Sequence, residues 1–186
     1  MNKLKLLHKK IRVCKKCDLW KRRTHTVPGE GPSNAKIMLI GEAPGRIEDE
    51  TGRPFIGRAG KFLTELIESM GISRESVFIT SVIKCRPPKN RKPKQKEIDS
   101  CMAHLHEQIE IIKPKVIVLL GNTAIKAVLN RTESVSKIHG QTIHLGGRTY
   151  FLTFHPAAGI RSTKRKEQLK SDFKRLNKML KKYKIR

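Results

Sequence analysis

Four cysteines are the residues of this chain with the clearest metal-binding chemistry. Cys14 and Cys17 form a C-x-x-C pair, while Cys85 and Cys101 stand far downstream. The basic N-terminus lacks the apolar core of a signal peptide, so we expect an intracellular protein, in which disulfides are disfavoured. Four thiolates are a sufficient ligand set for zinc or for an iron–sulfur cluster, and their spacing does not choose between the two.

Two polar motifs each follow an apolar run, where a strand is expected to end. The motif Gly-Glu-Ala-Pro-Gly at 41–45 follows residues 36–40, and His155-Pro156 follows residues 149–154. In an open α/β sheet, ligands bind in the crevice outside the carboxyl ends of the strands. We therefore expect the loops after Ile40, Ile83, Leu120 and Phe154 to meet at one rim and form a site, although Gly and Pro after a strand also make plain turns.

Hydrophobic periodicity predicts alternating strands and helices. Strands are expected at 36–40, 77–83, 116–120 and 149–154, and helices at 3–13, from 58, from 95, at 123–129 and from about 166. An extended loop is expected at 18–34, and turns with a hairpin at 134–147. This order predicts an α/β fold with a mostly parallel sheet, in a single domain over residues 1–186.

The helix expected from residue 95 carries one of the cysteines beside its apolar stripe. His104 and His106 follow Cys101 on that helix. They are possible ligands, but we expect both histidines to face solvent.

The charge of the chain is strongly unbalanced. It has 41 Lys and Arg against 16 Asp and Glu, which gives a formal net charge of +25. Lys and Arg that neutralise phosphates release counterions, so a surplus of this size indicates a nucleic-acid partner. No apolar run approaches the roughly 20 residues of a membrane span, and we expect no membrane contact.

Several short motifs occur together in a fixed order. They are the 41–45 loop, Glu48-Asp49, Gly-Arg-Pro-Phe-Ile-Gly-Arg-Ala-Gly at 52–60, Lys-Cys-Arg-Pro-Pro at 84–88, Asn90-Arg91 and His-Pro-Ala-Ala at 155–158. This combination closely resembles the family-four uracil-DNA glycosylases, the iron–sulfur members of the uracil glycosylase superfamily, which are common in archaea and thermophilic bacteria. The resemblance runs from the first cysteine to the final helix.

The resemblance implies a fold, a cofactor and a cellular setting. It implies an α/β/α sandwich with a central four-stranded sheet, and a [4Fe-4S] cluster held by Cys14, Cys17, Cys85 and Cys101. It further implies a monomeric, monofunctional glycosylase of base excision repair in a prokaryotic cytoplasm, associated with the nucleoid through DNA. Its substrate would be single- or double-stranded DNA that contains uracil, and a sliding clamp is left open as a partner.

The implied reaction assigns roles to pocket residues. A flipped deoxyuridine loses its base as charge separates between an oxocarbenium-like sugar and a uracil anion. By resemblance, His155 donates a hydrogen bond to the uracil O2, Phe55 stacks on the base, and Gly41 and Ala43 line the pocket.

The implied water-positioning group is a carboxylate. The best-known branch of the superfamily has an aspartate at the position of Ala43, and alanine cannot take its role. Glu42 is therefore our first candidate, and Glu48 is the second because it is also placed to orient water or the sugar.

One residue departs from the family pattern. Ser81 stands where family members usually carry an asparagine, whose amide offers both a donor and an acceptor to the uracil edge. We expect uracil removal with weaker base discrimination. A preference shifted or broadened toward hypoxanthine or xanthine, a non-catalytic iron–sulfur DNA-binding module and a zinc protein are the alternatives.

The DNA contacts are expected to follow the charge. Ile160 is the only sizeable apolar residue after His155-Pro156 that could wedge into the duplex. The expected phosphate contacts are Arg86, Lys89, Arg91, Lys92, Lys94, Arg161, Lys164 and Arg165.

Overall fold

The computed structural model describes residues 3–185. Within these residues five strands form one sheet: β1 (Ile37–Gly41), β2 (Phe78–Ser81), β3 (Val116–Leu120), β4 (Thr142–Leu145) and β5 (Arg148–Thr153). The α-helices are α1 (Lys3–Arg12), α2 (Arg46–Thr51), α3 (Arg58–Glu68), α4 (Gln95–Ile112), α5 (Asn122–Leu129), α6 (Val135–Ile138), α7 (Pro156–Arg161) and α8 (Thr163–Lys182). None of the helices in this described part of the chain is long and apolar enough to cross a membrane.

The sheet has the order β2-β1-β3-β5-β4, in which β2, β1, β3 and β5 are parallel. Every residue of β1, β2 and β3 is buried, as expected for strands covered by helices on both faces. Gly41 pairs with Ser81, and Leu120 pairs with Thr153, so the four parallel strands end at the same edge. The predicted α/β fold with a mostly parallel sheet is confirmed.

Among the described residues the sheet has five strands, one more than the four that the family resemblance implied, and the additional strand is β4. It belongs to the predicted hairpin and pairs antiparallel with β5 at the edge of the sheet. Gly146 and Gly147 form its turn with φ angles of 57° and 72°, the left-handed conformation that a tight two-residue hairpin needs. Since β4 is short and mostly exposed, it extends the sheet without adding to the core.

The outer helices bury the faces that their periodicity predicted. Leu4, Leu7 and Ile11 of α1 are buried where this helix packs on α4. Helix α8 buries Leu169, Phe173, Leu176 and Leu180 where it packs against α3, α7 and β5. These contacts place α1 and α4 on the same side of the molecule, with Cys14 and Cys17 just after α1 and Cys101 within α4.

Three local expectations were wrong. Helix α2 was not predicted, because its six residues are too few to show apolar periodicity. It begins after Gly45, whose amide donates to Glu48 Oε2 at 3.1 Å. His104, expected to face solvent, is buried, whereas His106 is exposed as predicted. The observed β2 is also shorter than the predicted 77–83, because the chain turns away from the sheet after Ser81.

Candidate active site

A cavity of about 530 Å³ opens at the carboxyl edge of the parallel strands. Loops that follow β1, β2, β3 and β5 all contribute to its wall, so the predicted rim is confirmed. Among the residues proposed from the sequence, those lining this cavity are Glu42, Ala43, Glu48, Phe55, Ser81, Arg91, Lys92, His155 and Arg161.

Phe55 forms a wall of the cavity and depends on a glycine for its position. A Cβ at Gly41 would clash with the Phe55 ring, so the end of β1 must carry glycine for the ring to pack there. Phe55 itself has a φ of 51°, a conformation that a bulky residue adopts only when its surroundings hold it. Its ring centroid lies 5.5 Å from that of His155, with 31° between the planes. An aromatic face and an imidazole thus share one wall.

His155 follows β5 directly and caps the N-terminus of α7. Its Nδ1 accepts a hydrogen bond from the Ala157 amide at 3.2 Å, which places the proton of the neutral ring on Nε2. Burial, reinforced by Arg161 and opposed by Glu48, lowers the pKa of His155 to about 4. At neutral pH this residue is therefore an uncharged imidazole whose Nε2–H is available as a donor.

Glu42 is held by a residue from the neighbouring strand end. Thr123 Oγ1, in the first turn of α5, donates a short hydrogen bond to Glu42 Oε2. Both residues line the cavity. The bond from Thr123 uses only Oε2 of Glu42, so the other carboxylate oxygen, Oε1, remains for a different contact. A residue from the segment after β3 thereby orients the Glu42 carboxylate.

Glu48 has both carboxylate oxygens committed to the backbone. Its Oε1 accepts from the amides of Ile56 and Gly57 at 3.0 and 2.9 Å, and its Oε2 accepts from Gly45 at 3.1 Å. The side chain therefore joins the 41–45 loop to the segment that carries Phe55. Although Glu48 lines the cavity, its geometry is that of a loop-fixing residue.

Ser81 is the last residue of β2 and is buried at the cavity wall. No hydrogen bond to its hydroxyl comes from any of residues 3–185, so the hydroxyl is open to a ligand. Its carbonyl accepts from Lys84 Nζ at 2.7 Å, which fixes the backbone at this point.

The predicted DNA-contact residues divide between the cavity and the surface around it. Arg91 and Arg161 line the cavity, whereas Ile160 is exposed and lines an adjacent surface depression that also includes Arg161. Lys89 is exposed, and Arg86 donates from Nε to Asn90 Oδ1 at 2.7 Å. These residues present positive charge around the mouth of the cavity.

The four cysteines meet around a second, smaller cavity. Its lining includes Cys14 and Cys17 from the segment after α1, Cys85 from the segment after β2, and Cys101 from α4. Burial raises the pKa of the Cys85 thiol to about 11 and also raises the pKa of Cys101. Thiols of this kind are poor nucleophiles, so their convergence indicates binding rather than covalent catalysis.

Two further side chains contact cysteine sulfurs in this cavity. Arg23 Nη1 lies 3.3 Å from Cys85 Sγ and also donates to the Cys14 carbonyl at 2.7 Å, while Nη2 donates to the Arg12 carbonyl at 3.0 Å. His104 Nε2 lies 3.3 Å from Cys14 Sγ.

Lys84 is fully buried beside the cysteine cavity and does not line the larger cavity. Its Nζ donates to Thr80 Oγ1 at 2.6 Å and to the Ser81 carbonyl, and burial lowers its pKa to about 7. The lysine at the wall of the larger cavity is Lys92, which is exposed. A Schiff-base lysine needs a desolvated pocket, so neither lysine has both the position and the environment for that chemistry.

Sequence reasoning did not single out Thr123 or Arg23, and it placed His104 on the solvent side of its helix. The Gly121-Asn122 turn marked the strand end that carries Thr123, but nothing in the sequence pairs this residue with Glu42. Arg23 is one of 41 basic residues and has no distinguishing pattern. Only the folded arrangement separates these side chains from solvated ones.

The motifs, the fold and the cavity agree with a family model. Residues 28–181 match the model of the uracil DNA glycosylase superfamily. The chain is 45% identical to the type-4 uracil-DNA glycosylase of Saccharolobus solfataricus, over 97% of this chain and 88% of that protein. It is 43% identical to the type-4 uracil-DNA glycosylase of Sulfurisphaera tokodaii, over 96% and 86%.

A relative of a different type is less similar. The chain is 31% identical to the type-5 uracil-DNA glycosylase of Pyrobaculum aerophilum, over 79% of this chain and 72% of that protein. The chain belongs to the uracil-DNA glycosylase superfamily and, within it, to the type-4 family.

Proposed function

We propose that this protein removes uracil from DNA by hydrolysing the N-glycosidic bond of a flipped deoxyuridine, which leaves an abasic site. The observation that carries the proposal is the neutral His155, whose Nδ1 is occupied by the Ala157 amide while the ring faces a cavity walled by Phe55. A base must leave the duplex to reach such a cavity, and the basic side chains at its mouth match the phosphates of the strand. The type-4 and type-5 relatives support this activity by their names.

His155 is proposed to stabilise the leaving group. As the C1′–N1 bond breaks, negative charge develops on the uracil, and an Nε2–H aimed at O2 binds the anion more strongly than the neutral base. A neutral donor is suited to this because the site never has to bury an imidazolium before the reaction. Phe55 is proposed to stack on the flipped base, next to the imidazole that contacts its edge.

Glu42 is proposed to position the attacking water. Its Oε2 accepts from Thr123 Oγ1, which leaves Oε1 to accept a hydrogen bond from water on the sugar side. The nearby carboxylate also favours the developing sugar cation. Glu48 is the weaker candidate for this role because three backbone amides already occupy its oxygens.

The cysteine cavity is proposed to hold a [4Fe-4S] cluster. Four cysteines around one cavity, with Cys85 and Cys101 buried, fit a group that supplies the positive charge that thiol deprotonation needs. Within residues 3–185, no three His, Cys, Asp or Glu side chains come close enough to bind a single metal ion, so the proposal rests on the convergence of the four cysteines on one cavity. When bound, the cluster would connect the N-terminal segment, the loop after β2 and α4 through iron–sulfur bonds.

Base selection is proposed to rest on Ser81 and the backbone around it. A serine hydroxyl is shorter than an asparagine amide and can act as either donor or acceptor, so it discriminates less strongly between base edges. The protein should prefer uracil and tolerate other deaminated bases better than an enzyme with asparagine at this position.

A glycosylase assay tests the proposal. Single- and double-stranded oligonucleotides with one uracil, hypoxanthine, xanthine or thymine would be incubated with the protein and then cleaved with alkali at abasic sites. We expect strong cleavage at uracil, weaker cleavage at hypoxanthine and xanthine, and none at thymine. No release of uracil under any condition would refute the proposed function.

A further inference from the structure

A basic groove adjoins the base cavity and the cysteine cavity and is lined in part by the segment around the first cysteine pair. It has a volume of about 410 Å³, and Trp20 lies in its wall. The chain contains one tryptophan, and it is exposed rather than part of the core. Large exposed aromatic side chains in a basic groove are typical of sites where unpaired bases stack.

The charges of this groove are arranged for a polyanion. Its basic lining residues are Lys15, Lys16, Arg22, Arg91, Lys94 and Lys96, against the two acids Asp18 and Glu97. Both acids are already paired, Asp18 with Lys21 at 2.7 Å and Glu97 with Arg91 at 2.6 Å. All the lysines of the groove and Arg22 are exposed, so they remain free to contact phosphates.

Trp20 is also placed next to a cation. Lys15 Nζ lies 4.8 Å from the centroid of its ring. A base that stacks on the indole would bring its phosphate close to such a side chain, which combines stacking with charge neutralisation.

The groove is continuous with the base cavity through one residue. Arg91 lines both, and it is held in place by two hydrogen bonds to Glu97, at 2.9 and 2.6 Å. A strand whose flipped nucleotide occupies the base cavity can therefore continue past Arg91 into the groove.

We propose that this groove, defined by Trp20, Lys15, Arg91, Lys94 and Lys96, binds the single-stranded DNA that flanks the excised base on one side, with Trp20 stacking on an unpaired base. The inference rests on the proposed function because the flipped uracil fixes where the flanking strand begins. It predicts that the protein holds several unpaired nucleotides on one side of the lesion.

The test measures binding as a function of flank length. Fluorescein-labelled single-stranded oligonucleotides would carry a non-hydrolysable 2′-fluoro-deoxyuridine. The short strand would have two nucleotides on each side of it, and the extended strands would have eight on either the 5′ or the 3′ side. Fluorescence anisotropy gives Kd for the full-length protein and for Trp20→Ala, Trp20→Phe and Lys94→Glu/Lys96→Glu. Tyr183→Ala is the matched control, an exposed aromatic with Lys182 over its ring at the other end of the chain.

We expect extension on one side to tighten binding, and Trp20→Ala to weaken binding of that extended strand about fivefold or more while leaving the short strand unchanged. Trp20→Phe should retain most of the affinity, and the double lysine variant should lower the salt slope by about two. Tyr183→Ala should behave like the wild type. Thermal unfolding of each variant would separate a binding defect from a folding defect.

Two results would overturn the inference. One is an equal effect of Trp20→Ala on short and extended strands, or no effect on either. The other is a lysine effect without a tryptophan effect, which would reduce the groove to a basic surface that contacts phosphates only. Failure of the proposed function is a separate result. It would appear as no uracil excision by the wild-type protein from the same strands made with natural deoxyuridine.

Discussion

The Ala157 amide donates a hydrogen bond to His155 Nδ1 at 3.2 Å, within the first turn of the helix that His155 itself caps. Two neighbouring residues thereby determine which ring nitrogen carries the proton. Because the acceptor nitrogen is Nδ1, the donor that faces the cavity is Nε2. The local backbone of the His-Pro motif sets the chemistry of its side chain.

The first prediction concerns the protonation of His155. Burial lowers its pKa to about 4, so the neutral form is present above that pH and is lost as the pH falls through it. Protonation would turn Nδ1 into a donor that opposes the Ala157 N–H and would release the ring. Nitrogen-15 NMR of histidine-labelled protein should show the Nε2–H tautomer and a midpoint near pH 4. A midpoint near 6.5 would contradict this assignment.

The second prediction concerns Thr123, which we infer to be a positioning residue for Glu42. Thr123→Val removes the hydrogen bond to a charged group, a loss of about 1.5–3 kcal/mol, and should lower kcat for uracil excision by about tenfold or more. Because the effect is expected to act through the orientation of Glu42 and not through base binding, KM should change little. Thr123→Ser keeps the hydroxyl and should retain most of the activity. If both variants behave alike, the hydroxyl does not orient Glu42.

The third prediction concerns Ser81. Replacing it by asparagine adds a fixed donor and acceptor at the cavity wall and should raise the ratio of uracil to hypoxanthine excision by about tenfold. Ser81→Ala removes the hydroxyl and should lower uracil excision. Initial rates on matched single-stranded oligonucleotides measure both effects. An unchanged ratio in Ser81→Asn would place base selection elsewhere in the cavity.

The fourth prediction concerns Arg23, which connects Cys85 Sγ with the backbone of Arg12 and Cys14. Arg23→Met removes these contacts and, if the proposed cluster is bound, should make it lose iron several-fold faster to a chelator, as followed by visible absorbance. Arg22→Met is the matched control, since Arg22 is the adjacent exposed arginine. Equal rates of iron loss in the two variants would show that Arg23 has no role at the cluster.

The sequence allowed the sheet and the rim to be predicted because both depend on local patterns. The apolar run at 116–120 became β3 without change, and Gln95 was correctly placed at the start of α4. Helix α2 was missed because its six residues are too few to show apolar periodicity, and its first turn is held by a bond from the Gly45 amide to the Glu48 carboxylate. The edge strand β4 is largely exposed and has no apolar run to reveal it.

The site residues that belong to sequence motifs could be predicted, whereas contacts between distant parts of the chain could not. The positions of His155 and Glu42 at one cavity followed from their strand ends, whereas Phe55 was assigned to it by the family resemblance. The Thr123–Glu42 bond joins residues 81 positions apart, and the His104–Cys14 contact joins residues 90 apart. Such pairs depend on the three-dimensional packing of β1 against β3 and of α1 against α4, which no local pattern encodes.

The central claim is that His155 stabilises the departing uracil. Uracil excision and salt-dependent DNA binding would be measured for the wild type, for His155→Ala and for His106→Ala, the last being an exposed histidine outside the cavity. We expect His155→Ala to lose about 10²–10³-fold in kcat while binding DNA with nearly unchanged affinity and salt slope, and His106→Ala to match the wild type. Excision by His155→Ala within a few-fold of the wild-type rate would contradict the claim.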